Sequence, residues 1–243
     1  MVRPVMSHNI VVNDIKTYPV IFIQGIGMTY TSSIHIDAPI NADNQRRQEA
    51  LIDALFQDYS KLLLVRIDLY WQKQYADVVS HQNMNEAFTQ LRNNMRCNRL
   101  FEHYITYCAK LEYGLDRGWH FHVLFFFDGQ RVRNDYLLAQ GIGKYWSTVI
   151  TRNLGDYYSA NMNSGQYRNF AMGSINYHET DKIMNAKAAA NYLAKETALY
   201  PGVPMLDAAG KKYRSYRQGQ YMPSGRPVGR PRMYSGAGIV ASL

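Results

Sequence analysis

The sequence predicts an α+β fold: an antiparallel sheet in ferredoxin-like order, with helices on one face and a further helix over the other. Three observations carry this. Lys61 to Trp71 and Gly118 to Phe127 are long apolar runs with the two-residue alternation or unbroken hydrophobicity of buried strands. Tyr104 to Tyr113 is a second β-branched and aromatic run, joined to Gly118 by the turn-forming stretch Gly114-Leu115-Asp116-Arg117-Gly118, so the two should form a hairpin. Helix-period segments separate the remaining runs, giving strand, helix, strand, strand, helix, strand, and hence a sheet ordered 4-1-3-2.

Taken in order, residues 1 to about 40 show no clear period. Val20 to Ile23 and Ser33 to Ile36 could be short strands, and His35-Ile36-Asp37 lacks a third donor nearby, so an ordinary strand is the better reading. Asn41 or Asp43 can cap a helix running to about Tyr59, with Ala50, Leu51, Ala54 and Leu55 as its apolar stripe. In the strand that follows, Leu63, Val65, Ile67 and Leu69 share one face, and Arg66, Asp68 and Tyr70 the other. Asp68 either pairs with Arg66 or faces the neighbouring strand. Residues 84 to about 101 read as a helix with Ala87, Phe88, Leu91, Met95 and Leu100 inward and Arg92, Arg96 and Arg99 as a solvated face.

Beyond the hairpin, Asp128-Gly129 is a turn, and Asn134 to Ile150 has helical period. Asn153 to Asn169, rich in Asn, Ser, Gly and Tyr, is expected to be a long loop. Phe170 to Tyr177 should be the last strand, and Asp181 to Thr197 a helix with the small face Ala186, Ala188, Ala189, Ala190 and Ala194. That helix can cross the open, polar face of the sheet.

The 243 residues suit one core domain of about 150 residues with extensions: 1–60 packing on the core, 61–200 the core itself, and 201–243 a basic, partly flexible tail. Cys97 and Cys108 have no metal-type spacing, which fits a reducing interior. No secretory signal or membrane span is expected, so the chain reads as cytoplasmic. Its net charge of +8 is uneven: Lys211, Lys212, Arg214, Arg217, Arg226, Arg230 and Arg232 fall in a stretch with no acidic residue. Interleaved with Tyr213, Tyr216 and Tyr221, they suit phosphate neutralisation and base stacking.

The chemistry concentrates in the hairpin. His120 and His122, the one His-x-His among seven histidines, project together from their strand. A hairpin symmetric about Asp116 sets Glu112 opposite His120, and any slip by an even number leaves all three on one face. Two imidazoles and a carboxylate form a half-open metal site that suits Mg²⁺ or Mn²⁺ when a substrate brings phosphate oxygens. Asp68 and Arg66, on the adjacent strand, are placed to brace those ligands.

A nucleophile is suggested by Tyr192 and Lys195, three apart on the last helix and so on one face. Tyr-x-x-Lys occurs three times, at Tyr70/Lys73, Tyr107/Lys110 and Tyr192/Lys195, and only the third lies on a predicted helix. Its alanine-rich surroundings would let helix and DNA backbone approach the sheet. An ionised tyrosine attacks phosphorus competently, and a nearby Lys⁺ favours that form or holds the phosphate.

The strand Leu62 to Leu69, Glu112 with His120-Phe121-His122, and Tyr192-Leu193-Ala194-Lys195 together resemble the ordered motifs of the HUH endonucleases, the rolling-circle replication initiators and their relatives. The similarity runs from about Lys61 to Lys195 and is strongest toward the filamentous-phage replication initiators and prophage-borne YagK/YfjJ-type domains. It rests on Lys110-Leu111-Glu112-Tyr113-Gly114, Gly118-Trp119-His120-Phe121-His122 and Phe127-Asp128-Gly129. The resemblance implies Mg²⁺ or Mn²⁺ at Glu112, His120 and His122, with Tyr192 as nucleophile. It also implies sequence-specific nicking and rejoining of single-stranded DNA through a 5′-phosphotyrosine, initiating rolling-circle replication of a phage or plasmid in a bacterial cell.

The implied partners are an origin, typically a hairpin, and host helicase and polymerase. The residue four after Tyr192 is Glu196, a departure from two-tyrosine initiators. A single-tyrosine transposase or relaxase, or a non-catalytic prophage DNA-binding protein, uses the same parts. An RNA-binding ferredoxin-like module would instead expose aromatics on the sheet.

Overall fold

The computed structural model describes residues 39–114, 117–166, 171–196, 206, 210–211 and 213–224. The strands expected at 20–23 and 33–36, the His35-Ile36-Asp37 pair, and Lys212, Arg226, Arg230 and Arg232 lie outside them. Six strands and four α-helices make a mixed α/β unit: α1 (Ala42–Asp58), β1 (Lys61–Trp71), α2 (His81–Asn94), β2 (Tyr104–Gly114), β3 (Gly118–Asp128), α3 (Asp135–Tyr145), β4 (Gly155–Ser159), β5 (Gly173–Asn176), α4 (Thr180–Asn191) and β6 (Tyr216–Gln218).

The sheet runs β4-β1-β3-β2-β6, with β5 also on β1, and every pairing is antiparallel. The hairpin has the symmetric register, Gly114 opposite Gly118 and Glu112 opposite His120. β1 lies beside β3 with Asp68 opposite His122. One row of side chains on one face therefore crosses the sheet as Tyr158, Asp68, His122, Lys110 and Tyr216.

Two strands differ from the sequence reading. The expected 153–169 loop contains β4, which pairs with Ile67–Trp71, while β5 takes Lys61–Leu64. One long strand edge is thus covered by two short strands, because the unpaired backbone groups of β1 need partners that local composition does not announce. Likewise β6, drawn from the basic tail, pairs with Cys108–Lys110 on the outer edge of β2.

The helices follow the alternation of β1. Leu63, Val65, Ile67 and Leu69 form one core with Phe88 and Leu91 of α2 and Ala139 and Ile142 of α3. On the other face Leu62, Leu64, Leu124 and Phe126 pack under Leu55 of α1 and Ala186 and Ala190 of α4. Beyond Leu64 that second face turns polar, at Arg66, Asp68 and Tyr70, and the helical cover stops there.

Some boundaries move. The buried stripe of α1 is Leu51, Ile52, Leu55 and Phe56; Ala50 is exposed. α2 starts three residues earlier than its apolar period, because Ser80 and Asn83 form a reciprocal capping box, and it ends at Asn94, leaving Leu100 in a short 3₁₀ turn. α3 passes into one π turn at Trp146–Ile150. α4 ends at Asn191, and Tyr192–Ala194 form a 3₁₀ turn. Ala186 and Ala190 pack in the core that α4 shares with α1 and the sheet, while Ala188 is exposed. No described helix is long and apolar enough to cross a membrane.

Candidate metal centre

The site is built on the polar half of the second face. Gly118 starts β3 at φ +60°, where a Cβ would meet the carbonyl oxygen of Ala76 at 2.5 Å, so only glycine fits there. Its own carbonyl faces Nδ1 of His120 at 2.9 Å. Across β1, Asp68 Oδ1 lies 2.6 Å from Nδ1 of His122. With both Nδ1 atoms donating to these acceptors, the tautomers follow: in the neutral rings each Nε2 carries a lone pair.

Those two Nε2 atoms are 3.1 Å apart, and Glu112 Oε2 is 3.1 Å from Nε2 of His122. Ligand atoms of Glu112, His120 and His122 all lie within 4.8 Å of one another. Two imidazole nitrogens and a carboxylate oxygen converging at these distances suit a divalent cation. The residues fit a metal, whose identity the donor set leaves open.

The electrostatics agree with this geometry. Burial, then the charge of His122, pushes His120 down to about 4, so it is a neutral ligand at physiological pH. Burial also opposes charge on His122, but Asp68 and Glu112 outweigh it and raise its pKa. Glu112 is held well below the usual carboxylate range: burial works against its charge, yet His122 and Lys110 win. Asp68 is lowered in the same way, by His122 and Arg66 against burial.

Tyr192 reaches this cluster from the 3₁₀ turn after α4. Its hydroxyl donates to Glu112 Oε2 at 3.2 Å, and its ring stands edge-on to His122 with centroids 5.2 Å apart. Arg66 sits 4.9 Å and Lys195 5.6 Å from the ring centroid. A 3₁₀ turn has three residues per turn, so Lys195 comes round to the side of Tyr192 although the α-helix has ended. Burial and the Glu112 charge raise the tyrosine pKa, and Arg66 pulls against them.

Arg66 is 4.0 Å from Asp68, so Asp68 serves the arginine weakly and the histidine strongly. The structure thus brings together Glu112, His120, His122, Tyr192, Asp68, Arg66 and Lys195.

None of the tail's described basic residues, Lys211, Arg214 and Arg217, joins them. Arg217 projects to the opposite face, 5.0 Å over Phe121, and Lys211 and Arg214 line a cleft with it on that side. Two residues escaped the sequence reading. Lys110 is fully buried, its Nζ 2.6 Å from Glu112 Oε1 and 3.1 Å from the carbonyl oxygen of Glu196. The signal was present: a lysine two positions before Glu112, inside an apolar strand, must share its face. Arg117, at the start of β3, approaches Asp68 Oδ2 at 3.6 Å and lies over Tyr70.

A six-stranded antiparallel sheet with helices on both faces and a three-donor cluster beside a tyrosine defines a mixed α/β protein with a candidate metal centre. The YagK/YfjJ C-terminal domain family matches residues 32–204, and the chain belongs to that family. The match covers α1 through Tyr192 and Lys195, and so the whole cluster. No curated protein and no solved structure matches the chain.

Proposed function

We propose that this protein is a metal-dependent DNA strand transferase of the HUH type, which nicks and rejoins single-stranded DNA with Tyr192 as nucleophile. The observation that carries the reading is the contact of the Tyr192 hydroxyl with Glu112, 3.2 Å, at the edge of the His120 and His122 donor cluster. The pairing of β5 with β1, β1 with β3 and β3 with β2 supports it, since a ferredoxin-like sheet would need its four strands in the order 4-1-3-2.

In this reading Tyr192 Oη forms a bond to phosphorus as the P–O3′ bond breaks, leaving a 5′-phosphotyrosyl protein and a 3′-OH. The phenolic proton passes to water, and the departing 3′ oxygen takes a proton from water. Arg66 and Lys195 flank the ring and offer positive charge to the neighbouring phosphates. A divalent cation at Glu112, His120 and His122 supplies the charge that draws in phosphate oxygens and offsets the carboxylate. Attack by a 3′-OH reverses the step, so rejoining needs no nucleotide.

The partner is single-stranded DNA at a phage or plasmid replication origin, where the free 3′-OH primes rolling-circle synthesis by host enzymes. Glu196 stands four residues after Tyr192, with its carbonyl bound by Lys110 and its N–H by the carbonyl of Pro39, which favours a single nucleophile.

The test is incubation with a pool of single-stranded oligonucleotides and Mn²⁺ or Mg²⁺, followed by denaturing electrophoresis. A metal-dependent covalent protein–DNA band that Tyr192→Phe abolishes, with DNA binding retained, is expected. An adduct that survives in Tyr192→Phe overturns the nucleophile, and binding without any adduct favours a prophage DNA-binding protein on the same fold.

A further inference from the structure

On the sheet face away from the metal donors, α2 and the chain from 211 to 217 enclose an open cleft of about 800 Å³. One wall is a stripe of amides at helical spacing, Gln82, Asn85, Gln90 and Asn93, with Thr89 between them. From residue 82 to residue 93 the stripe extends about 16 Å at the α-helical rise. The other wall holds Tyr213, Arg214 and Arg217. Tyr213 stacks on His81 with ring centroids 3.4 Å apart, which fixes this segment against the helix.

The charge of the cleft is one-sided. Arg217 is half-buried over Phe121 and donates to Asn85 Oδ1. Arg92, on α2 outside the cleft's lining, lies 5.7 Å from the Tyr107 ring, and the charges of Arg92, Arg217 and Arg214 all bear on the Tyr107 hydroxyl. Among the described residues none of these three arginines has a carboxylate partner. Glu86, the one carboxylate lining the cleft, accepts from Gln82 Nε2 at 2.8 Å. Three guanidinium groups held this close repel one another, and an anion relieves the repulsion.

The length of the amide stripe points to a ligand with several anionic groups in a row. The volume falls in the range of roughly 300–1,000 Å³ that takes a single molecule-sized ligand, which suits a segment of one strand. The exposed amides add donors and acceptors suited to sugar, phosphate and base edges.

We propose that the cleft between α2 and residues 211–217 binds single-stranded DNA through its phosphates, independently of the metal centre on the opposite face. The choice of DNA over RNA rests on the strand-transfer reading above; the anionic single strand does not.

The experiment is fluorescence anisotropy of a labelled single-stranded oligonucleotide with the full chain in EDTA, across a salt series. Arg92 and Arg214 are both exposed, so Arg92→Glu with Arg214→Glu leaves the core intact. The double variant should lose at least tenfold in affinity, and its slope of log affinity against log salt should fall by about 1.4, two phosphate contacts at about 0.7 each.

Unchanged affinity and slope in the double variant overturns the proposal. So does tighter binding of a duplex or an RNA of the same sequence. If no oligonucleotide forms an adduct but the charge reversals still weaken binding, the strand-transfer reading fails and the cleft stands.

Discussion

Asp68 accepts a hydrogen bond from Nδ1 of His122 at 2.6 Å, and through it a carboxylate 52 residues upstream of His120 sets which nitrogen of the neighbouring imidazole faces the donor cluster. Replacing Asp68 by Asn keeps the shape and removes the charge. Carboxylates behind a histidine ligand contribute about 10–100-fold in metal affinity. Asp68→Asn should therefore weaken Mn²⁺ binding by that range in calorimetric titration, while the thermal midpoint stays close to the parent's.

Metal binding should be pH-dependent in a direction that the site dictates. His122 has a raised pKa in the metal-free protein and must lose its proton to become a ligand, so affinity falls as pH drops through that raised value. His120, depressed to about 4, and Glu112, held ionised, contribute no proton near neutrality. Titrations in buffers of different ionisation enthalpy should show close to one proton released per ion below the His122 pKa, and progressively less above it.

Lys110 and Glu112 should be energetically coupled. Lys110 is fully buried and neutralises the half-buried carboxylate directly. Removing one member of such a pair costs about 3 kcal/mol, because the other charge is left without its partner. In urea melts, Lys110→Met and Glu112→Gln should each destabilise, and the double variant should fall short of additivity by about 2 kcal/mol.

Gln48 carries the opposite expectation. It is fully buried on α1, and neither its amide nitrogen nor its oxygen has a hydrogen-bond partner among the described residues. An amide buried without a partner costs about 1–3 kcal/mol. Gln48→Met, of similar length, should raise stability by about 1 kcal/mol in denaturant melts.

Gly118→Ala should damage both fold and site. The new methyl must occupy a left-handed backbone position and press on the Ala76 carbonyl, while the Gly118 carbonyl orients His120. A loss of about 2 kcal/mol or more is expected, together with weaker Mn²⁺ binding. Gly114→Ala makes a milder comparison, since its Cβ would touch the His120 ring at 3.3 Å in an ordinary strand conformation.

The trio Glu112, His120 and His122 was legible because it depends on two local rules. Side chains alternate along a strand, and a short symmetric hairpin fixes which residues stand opposite each other. The same alternation separated Leu63, Val65, Ile67 and Leu69 from Arg66 and Asp68. Tyr192 was singled out by sharing a face with Lys195 on the predicted alanine-rich helix, but the reach of its hydroxyl to Glu112 was not contained in that helix's period.

What only the tertiary structure decided are the relationships between segments far apart in the chain. The alignment of Asp68 with His122 comes from the β1–β3 register, and the two short strands β4 and β5 exist because β1 offers a long unpaired edge. Arg217 lies across the sheet from the metal donors because β6 joins the edge of β2 with Tyr216 on the donor face and Arg217 on the other. Local propensity and periodicity act within a few residues, so the sequence by itself determined β1, the β2–β3 hairpin and its three candidate ligands. Backbone pairing and packing act across the whole sheet, and they determined which side chains complete the centre and which line a surface of their own.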